Sequence, residues 1–194
     1  MTRSTVRAFA AFAAGGALLG ACSRESEAPA DNLAANVAAG EVSAPVSDFA
    51  VAGADGASLG KLEVNEDANG VTIKLAGTGM PAGVHGVHLH EKGVCEGPKF
   101  ESAGAHWNPA QRKHGRDNPL GAHLGDLANL EVSASGAATA SFVIPGVAMR
   151  GGATPLADAD GTAIVVHAKA DDYKTDPSGA SGDRIACAVV AAPE

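Results

Sequence analysis

Residues 83–95 read GVHGVHLHEKGVC and place His85, His88 and His90 within six positions, with Cys95 five residues further on. The whole chain has seven histidines, and the first of them is His85. His88 and His90 are two residues apart, so on a β-strand both side chains leave the same face, about 6 to 7 Å from each other. Two imidazoles at this separation can bind one ion. The stretch therefore predicts a metal site on a strand.

Around this stretch the sequence predicts short strands separated by turns. Val71, Ile73 and Leu75 alternate with polar residues, which is the period of a half-buried strand. The segment NEDANG at 65–70 ends in Asn-Gly, a hairpin signal because both residues tolerate a positive φ. Further strands are predicted around Phe49–Val51 and over 84–90, 127–133, 139–144, 163–167 and 185–190. The expected fold class is all-β, an antiparallel β-sandwich or flattened barrel.

Two long segments, roughly 91–125 and 168–184, interrupt the strands. Both are rich in Gly, Pro, Asp, Asn and Lys, with few apolar residues in succession. Loops of this length are uncommon inside a compact domain and usually carry function. We therefore expect two functional loops on a β scaffold.

The amino-terminal part of the chain predicts export. Arg3 and Arg7 precede an apolar run over 8–19 that is too short to span a bilayer as a helix, and the run ends in LGAC. This ending resembles the lipobox of bacterial lipoproteins, which implies a signal peptide over 1–21 and lipid attachment at Cys22. The alternative is plain secretion without a lipid. Residues 22–45 are rich in Ala, Ser, Glu, Pro and Asn and predict a flexible tether, which leaves one domain over 46–194.

Charge and cysteine content narrow the class of protein further. The formal net charge is −8, and removal of residues 1–21 leaves 12 basic and 22 acidic residues, a charge of −10. A chain this acidic is a poor candidate for binding nucleic acid through phosphate groups. With Cys22 assigned to a lipid, Cys95 and Cys187 remain as a pair, and export makes a disulfide their expected state.

The first long segment contains a second group of metal-binding residues, His106, His114, His123 and Asp126. Three imidazoles and one carboxylate suit tetrahedral zinc. A loop without its own apolar core would gain order from such an ion.

His167, at the end of a predicted strand, could join His88 and His90 in a set that contains only nitrogen donors, which suits copper. Taken singly, a strand histidine is more often a hydrogen-bonded polar residue, and this interpretation is kept for His85. A loop histidine is more often simply solvated. Six histidines and one aspartate at workable spacings favour metal binding.

Together these motifs resemble one known family. GVHGVHLHEKGVC, SAGAHWNP (102–109), RKHG (112–115), AHLGDL (122–127), VVHAKADD (165–172) and GDRIAC (182–187) are similar to segments of copper/zinc superoxide dismutase, of the bacterial exported type. The resemblance runs from about Phe49 to the end of the chain. It implies a Greek-key fold of about eight antiparallel strands, with one copper and one zinc ion in each subunit.

The resemblance also implies roles for individual residues. Copper would be bound by His88, His90, His106 and His167, and zinc by His106, His114, His123 and Asp126. Asp171 would link a copper histidine to a zinc histidine, and Cys95 and Cys187 would form the disulfide of the family. Arg184 would hold the anion beside copper, and His106, shared by both ions, would exchange a proton during turnover. Arg184 and His106 are thus the expected catalytic residues.

The expected activity is disproportionation of superoxide to oxygen and hydrogen peroxide outside the cytoplasm, by a periplasmic protein whose only membrane contact is a lipid on Cys22. The alternative is a module that stores or delivers copper without turnover. The resemblance leaves a homodimer open. Lys169, Lys174 and Arg184 are candidates to attract the anion, although four aspartates share their loop. Trp107, the only tryptophan, is expected in the core.

Overall fold

The computed structural model describes residues 47–194. The predictions for the signal peptide over 1–21, for lipid attachment at Cys22 and for the tether over 22–45 lie outside the described residues. The domain predicted for 46–194 is described from its second residue onward.

The described residues form nine β-strands and one short 3-10 helix, with no α-helix among them. The strands are β1 (Ser47–Gly53), β2 (Ser58–Asp67), β3 (Gly70–Gly77), β4 (Gly83–His85), β5 (Val87–His90), β6 (Leu130–Val132), β7 (Ala138–Pro145), β8 (Thr162–His167) and β9 (Arg184–Ala191). The 3-10 helix, Glu101–Ala103, lies between β5 and β6. Over 47–194, nothing helical has the length and apolar character needed to cross a bilayer. The predicted all-β class is confirmed.

Seven strands form one antiparallel sheet in the order β5-β8-β9-β1-β2-β3-β7, and β4 pairs with β6 in a second sheet. The neighbours β5 and β8, β9 and β1, and β3 and β7 are far apart in the sequence, as Greek-key connections require. This order places β5, with two histidines, directly beside β8, which ends in a third.

The single strand predicted over 84–90 is divided at Gly86 between the two sheets. The Gly86 N–H donates to the Lys169 carbonyl, and the Gly86 carbonyl accepts from the His167 N–H, both at 2.8 Å. A Cβ at Gly86 would lie 2.9 Å from the Ser181 Cβ, so a larger residue would push the chain near Ser181 away. The division therefore explains the ninth strand and brings a long loop against the histidine-bearing strand.

The hairpin predicted at 65–70 is present, but its glycine has a different place from the one expected. Ala68 and Asn69 connect the strands, while Gly70 pairs with Asp67 as the first residue of β3. Gly70 has a φ of +139°, and a Cβ there would overlap the carbonyl of Ile144 on β7. The glycine thus permits close strand packing and does not form the turn.

The core of the described domain is mainly aliphatic. Val71, Ile73 and Leu75 are each at most 2% exposed, whereas Lys74 between them faces solvent, as their alternation predicted. Trp107 is 5% exposed and packs in the main apolar cluster, in agreement with the prediction. Full burial of each large apolar side chain contributes roughly 1.5–3 kcal/mol. The sheet is therefore a stable base for its two long connections, the first loop (91–129) and the second loop (168–183).

Candidate metal centre

β5 and β8 place three histidines on one side of the sheet, under the first loop. His88 pairs with Val165 and His90 with Ala163, while Val87 and Leu89 lie in the apolar core. His88 and His90 are fully buried, and His167 at the end of β8 is 3% exposed. All four residues of β5 are buried because the first loop covers the face opposite the core.

His106, from the first loop, completes a cluster of four rings. One donor atom from each of His88, His90, His106 and His167 lies within 4.8 Å of the others. The His106 ring stacks on His88 with a centroid distance of 3.9 Å, and its centroid is 5.0 Å from His90 and 6.0 Å from His167.

In each ring, one nitrogen contacts another group of the protein and the other nitrogen has no hydrogen-bond partner. His90 Nδ1 donates to the Gly104 carbonyl at 3.0 Å, and His167 Nδ1 donates to the Gly182 carbonyl at 3.1 Å. Because a carbonyl oxygen only accepts, both Nδ1 atoms carry the hydrogen, and both Nε2 atoms keep a lone pair. Nε2 of His90, His106 and His167 and Nδ1 of His88 are buried without a hydrogen-bond partner.

Four unpaired nitrogens in one buried cluster are strong evidence of a cation site. A buried polar atom without a partner costs about 1–3 kcal/mol, and such atoms are rare unless an ion or water pairs with them. An ion with nitrogen preference would satisfy all four atoms at once. The donor set therefore fits a metal, and its all-nitrogen chemistry fits copper.

A second set forms around Asp126, whose Oδ1 lies 3.1 Å from His106 Nδ1, 3.0 Å from His123 Nδ1 and 3.0 Å from His114 Nδ1. His114 Nδ1 lacks hydrogen-bond geometry toward this oxygen and is buried without a partner. Donors about 2.0–2.1 Å from a tetrahedral zinc ion stand about 3.3 Å apart. The observed separations are close to that spacing, so these three nitrogens and one oxygen fit a zinc ion.

The Asp126 carboxylate is held in place from the protein side. Its Oδ2 accepts from the Gly115 N–H at 2.8 Å and from the His123 N–H at 3.0 Å, so Oδ1 stays directed at the three rings. Donor atoms of His88, His106, His114 and Asp126 also lie within 4.8 Å of one another. We nevertheless place His88 in the first set, because three Nδ1 atoms already surround Asp126 Oδ1.

Asp171 joins the two sets through the outer nitrogens of two rings. Its Oδ2 accepts from His88 Nε2 and its Oδ1 contacts His114 Nε2, both at 3.0 Å. The residue is 2% exposed. One carboxylate therefore orients a ring in each set and leaves the Nδ1 atom of each ring directed inward, as such outer partners of metal ligands commonly do.

The electrostatics of the cluster favour neutral rings in the first set. Burial lowers the pKa of His90 to about 2, of His106 to about 4 and of His167 to about 3, with a further contribution from the Arg184 charge at His90 and His167. Their lone pairs are thus available to a cation at neutral pH.

The carboxylates remain ionised although they are buried. Burial acts to raise the pKa of Asp126, but contacts with His106 and His114 hold it well below its usual range. Burial also acts to raise the pKa of Asp171, but the hydrogen bonds with His114 and His88 lower it overall. Conversely, the two carboxylates overcome the effect of burial on His114 and raise its pKa to about 9. A zinc ion at this set would displace that proton.

Arg184, the first residue of β9, lies at a cleft next to the first set. Its Nη1 donates to the Phe100 carbonyl and its Nη2 to the Gly104 carbonyl, both at 2.6 Å. The cleft has a volume of about 530 Å³ and is lined by Pro98, Lys99, Glu101, Gly182, Asp183 and Arg184. Another depression, of about 500 Å³, lies on β2, β3 and β7 and contains none of the predicted site residues.

The charged residues at the cleft agree only in part with those considered in the sequence, since Arg184 and Asp183 line it. Lys169 and Lys174 do not line it, whereas Lys99 and Glu101 do. Lys99 Nζ lies 3.9 Å from Glu101 Oε1, and both side chains are largely exposed. The pattern of the chain could not single them out, because the first loop reaches Arg184 only through the fold.

Cys95 and Cys187 form a disulfide that ties the first loop to β9, with a Cα–Cα distance of 5.7 Å. It packs against Phe100, Ala163 and Val165 in a small apolar cluster. Cys187 follows Arg184 by three residues in the chain. The bridge and the Arg184 hydrogen bonds therefore fasten the same part of the first loop.

His85 is outside both sets. Its Nδ1 lies 2.7 Å from the His167 carbonyl and its Nε2 lies 2.9 Å from the Pro81 carbonyl. Both ring nitrogens contact the protein, which agrees with the interpretation of His85 as a hydrogen-bonded polar residue.

Comparison with known proteins agrees with this geometry. Residues 58–190 match the model of the family described as copper/zinc superoxide dismutase. A protein of Caulobacter vibrioides named superoxide dismutase [Cu-Zn] is 47% identical over 139 residues, which cover 70% of this chain and 80% of that protein. A superoxide dismutase-like protein of Bacillus subtilis is 42% identical over 136 residues, 69% of each chain.

Solved structures show the same relationship. The crystal structure of a superoxide dismutase-like protein from Bacillus subtilis has a TM-score of 0.72 at 38% identity and covers 76% of this chain and 99% of that one. The copper/zinc superoxide dismutase from Brucella abortus has a TM-score of 0.59 at 26% identity and covers 74% of this chain and 98% of that one. With a family match over most of the described domain, this chain belongs to the copper/zinc superoxide dismutase family.

Proposed function

We propose that this chain disproportionates superoxide to oxygen and hydrogen peroxide with one copper and one zinc ion per subunit. His88, His90, His106 and His167 would hold copper, and His106, His114, His123 and Asp126 would hold zinc. One observation carries the proposal. The His106 ring has its Nδ1 3.1 Å from Asp126 Oδ1, in one donor set, and its buried, unpaired Nε2 in the other.

When bound, copper supplies the reversible one-electron transfer that the reaction needs, which zinc does not. The overall reaction consumes two superoxide ions and two protons and releases one oxygen and one peroxide molecule. His106 Nε2 would hold one proton between the two half-reactions, while the ring would stay in place through its Nδ1, which lies in the zinc set. The burial of this ring, 8% exposed, limits loss of that proton to solvent.

Arg184 would hold the anion. Its guanidinium cannot lose its charge at physiological pH, and two of its five N–H groups are bonded to the Phe100 and Gly104 carbonyls. These bonds fix the plane of the group at the cleft and leave three N–H groups for an anion. A fixed positive charge in a cleft attracts an anion even when the net charge of the protein is negative.

The alternative function is a copper-binding module without turnover. Family membership alone does not exclude it, because one relative is named only superoxide dismutase-like. Arg184 argues against it, because a storage site has no need of a cation held by two carbonyls beside four nitrogen donors.

Superoxide decay in stopped flow tests the proposal. The full chain would be loaded with copper and zinc and measured in the presence of a chelator that removes loosely held copper. We expect rapid decay for the loaded chain, and loss of both copper and activity, with zinc retained, for His88→Ala. Asn65→Ala, on β2, is the matched control and should behave as wild type. A loaded chain no faster than buffer would favour the copper-binding module.

We also propose that the protein is exported and carries a lipid on Cys22, as a periplasmic lipoprotein with a signal peptide over 1–21 and a tether over 22–45. The disulfide supports an oxidising compartment. An extracellular relative from Caenorhabditis elegans, 35% identical over 139 residues, supports function outside the cytoplasm. Incorporation of a labelled fatty acid, with Cys22→Ser as control, tests the lipid. Sedimentation of the loaded protein tests a homodimer.

A further inference from the structure

Tyr173, the only tyrosine of the chain, joins the second loop to both sides of the proposed zinc set. Its hydroxyl accepts a hydrogen bond from the Asn129 N–H at 2.8 Å. Its carbonyl accepts from the Asp117 N–H at 3.0 Å. The Arg116 guanidinium lies over its ring, 3.7 Å from the centroid. Asp117 and Arg116 follow His114 closely, and Asn129 follows Asp126 by three residues.

The backbone at Tyr173 shows how closely the two loops approach. Its φ is +59°, in the left-handed region that few residues other than glycine adopt unless the surroundings hold them there. On the facing loop, a Cβ at Gly115 would overlap the Tyr173 carbonyl. The contact therefore constrains both loops.

The Asn129 side chain connects this contact to Asp171 through two hydrogen bonds. Its Oδ1 accepts from the Asp171 N–H at 2.9 Å, and its Nδ2 donates to the Asp171 carbonyl at 3.0 Å. The Tyr173 N–H also donates to Asp171 Oδ1, at 2.6 Å. Asp171 is thus held at its backbone by Asn129 and at its carboxylate by Tyr173.

We propose that Tyr173 is a positioning residue for the zinc set and acts through Asn129 and Asp171. The inference rests on the proposed function, since it assumes that His114 binds zinc. Without the hydroxyl, the half-buried Asn129 N–H loses its acceptor, and Asn129 can shift from the Asp171 backbone. Asp171 Oδ1 lies 3.0 Å from His114 Nε2, so a shift of Asp171 turns the His114 ring and its unpaired Nδ1.

Zinc affinity of the full chain tests this, by competition with a chromophoric chelator and without copper. Tyr173→Phe keeps the ring over Arg116 and removes only the hydroxyl. Loss of an outer partner of a metal ligand typically costs 10–100-fold in affinity; for this more distant residue we expect about 3–10-fold. The visible spectrum of Co²⁺ bound in place of zinc should change as well. Asn65→Ala, which removes a side-chain hydrogen bond to Glu63 on β2, should leave both readouts unchanged.

A double variant shows whether the effect passes through Asn129. Asn129→Ala should weaken zinc binding at least as much as Tyr173→Phe, and the two changes together should weaken it no more than Asn129→Ala alone. Additive losses would overturn the proposed route. Unchanged affinity and Co²⁺ spectrum in Tyr173→Phe, even with a lower melting temperature, would overturn the inference. A wild-type chain that binds no zinc would overturn the proposed function itself, which distinguishes the two failures.

Discussion

Loss of the Cys95–Cys187 disulfide should lower the stability of the metal-free protein by several kcal/mol. The bridge joins residues 92 positions apart, so it restricts a large part of the unfolded chain. The chain-entropy relation for a loop of this length predicts about 4.6 kcal/mol at 25 °C. Measured values for native disulfides are typically 2–5 kcal/mol, and the expected loss lies in that range.

The assay is urea unfolding with a metal chelator present, because bound metal would add its own concentration-dependent stabilisation. Three samples are compared, all carrying Cys22→Ser so that no other disulfide forms: the oxidised protein, the same protein after reduction, and Cys95→Ala/Cys187→Ala. With an m-value of about 2 kcal/mol/M, the midpoint should fall by about 1 to 2.5 M.

Reduction and substitution should have similar effects, since both remove the cross-link. Cys187 is 1% exposed and packs with Ala163 and Val165, so the double variant should lose slightly more than the reduced protein. A midpoint that moves by less than about 0.3 M in both samples would refute the entropic reasoning. A large shift in the double variant alone would assign the stability to packing of the sulfur atoms.

Three further outcomes are expected from the donor sets. His167→Ala should abolish copper retention and superoxide turnover but keep zinc. Metal analysis after dialysis and the decay assay measure this, and copper that stayed bound would contradict the copper set. Asp171→Asn replaces an acceptor oxygen between two rings, so we expect 10–100-fold weaker metal binding; chelator competition giving wild-type affinity would oppose this role. In the metal-free protein the pKa values of His90, His106 and His167 are lowered by folding. As the pH falls, the unfolded chain therefore binds protons at these rings before the folded chain does. Unfolding free energy should therefore fall as pH drops from 6.5 to about 4, by up to about 1.4 kcal/mol per pH unit for each histidine. Urea midpoints that stay constant or rise over this range would contradict the pKa directions.

Much of the scaffold could be predicted because it depends on local pattern. The alternation at Val71, Ile73 and Leu75 reports one buried face, and the structure buries these side chains on β3. The division of the strand at Gly86 was not predictable, because it depends on hydrogen bonds to Lys169 and His167 from distant segments. The same holds for Gly70, whose conformation is required by β7 and not by its own hairpin.

The identity of the donor residues could also be proposed from sequence, since His88 and His90 share a strand face by spacing alone. Which nitrogen of each ring is free could not, because a backbone carbonyl decides it and every residue has one. His90 and His167 are oriented by the carbonyls of Gly104 and Gly182, and no side-chain pattern marks these two positions.

The same distinction explains why the sequence does not mark Asn129 and Tyr173 as site residues. Asp171 could be predicted only because VVHAKADD resembles a segment of the family, whereas Asn129 contacts the Asp171 backbone and the Tyr173 hydroxyl contacts the Asn129 backbone. Each step away from the donors replaces a side chain of characteristic chemistry with a main-chain group common to all residues. The information in the sequence therefore decreases from the donors outward, while the geometric constraint on the donors does not. A metal centre of this kind depends on residues that only the folded chain brings together.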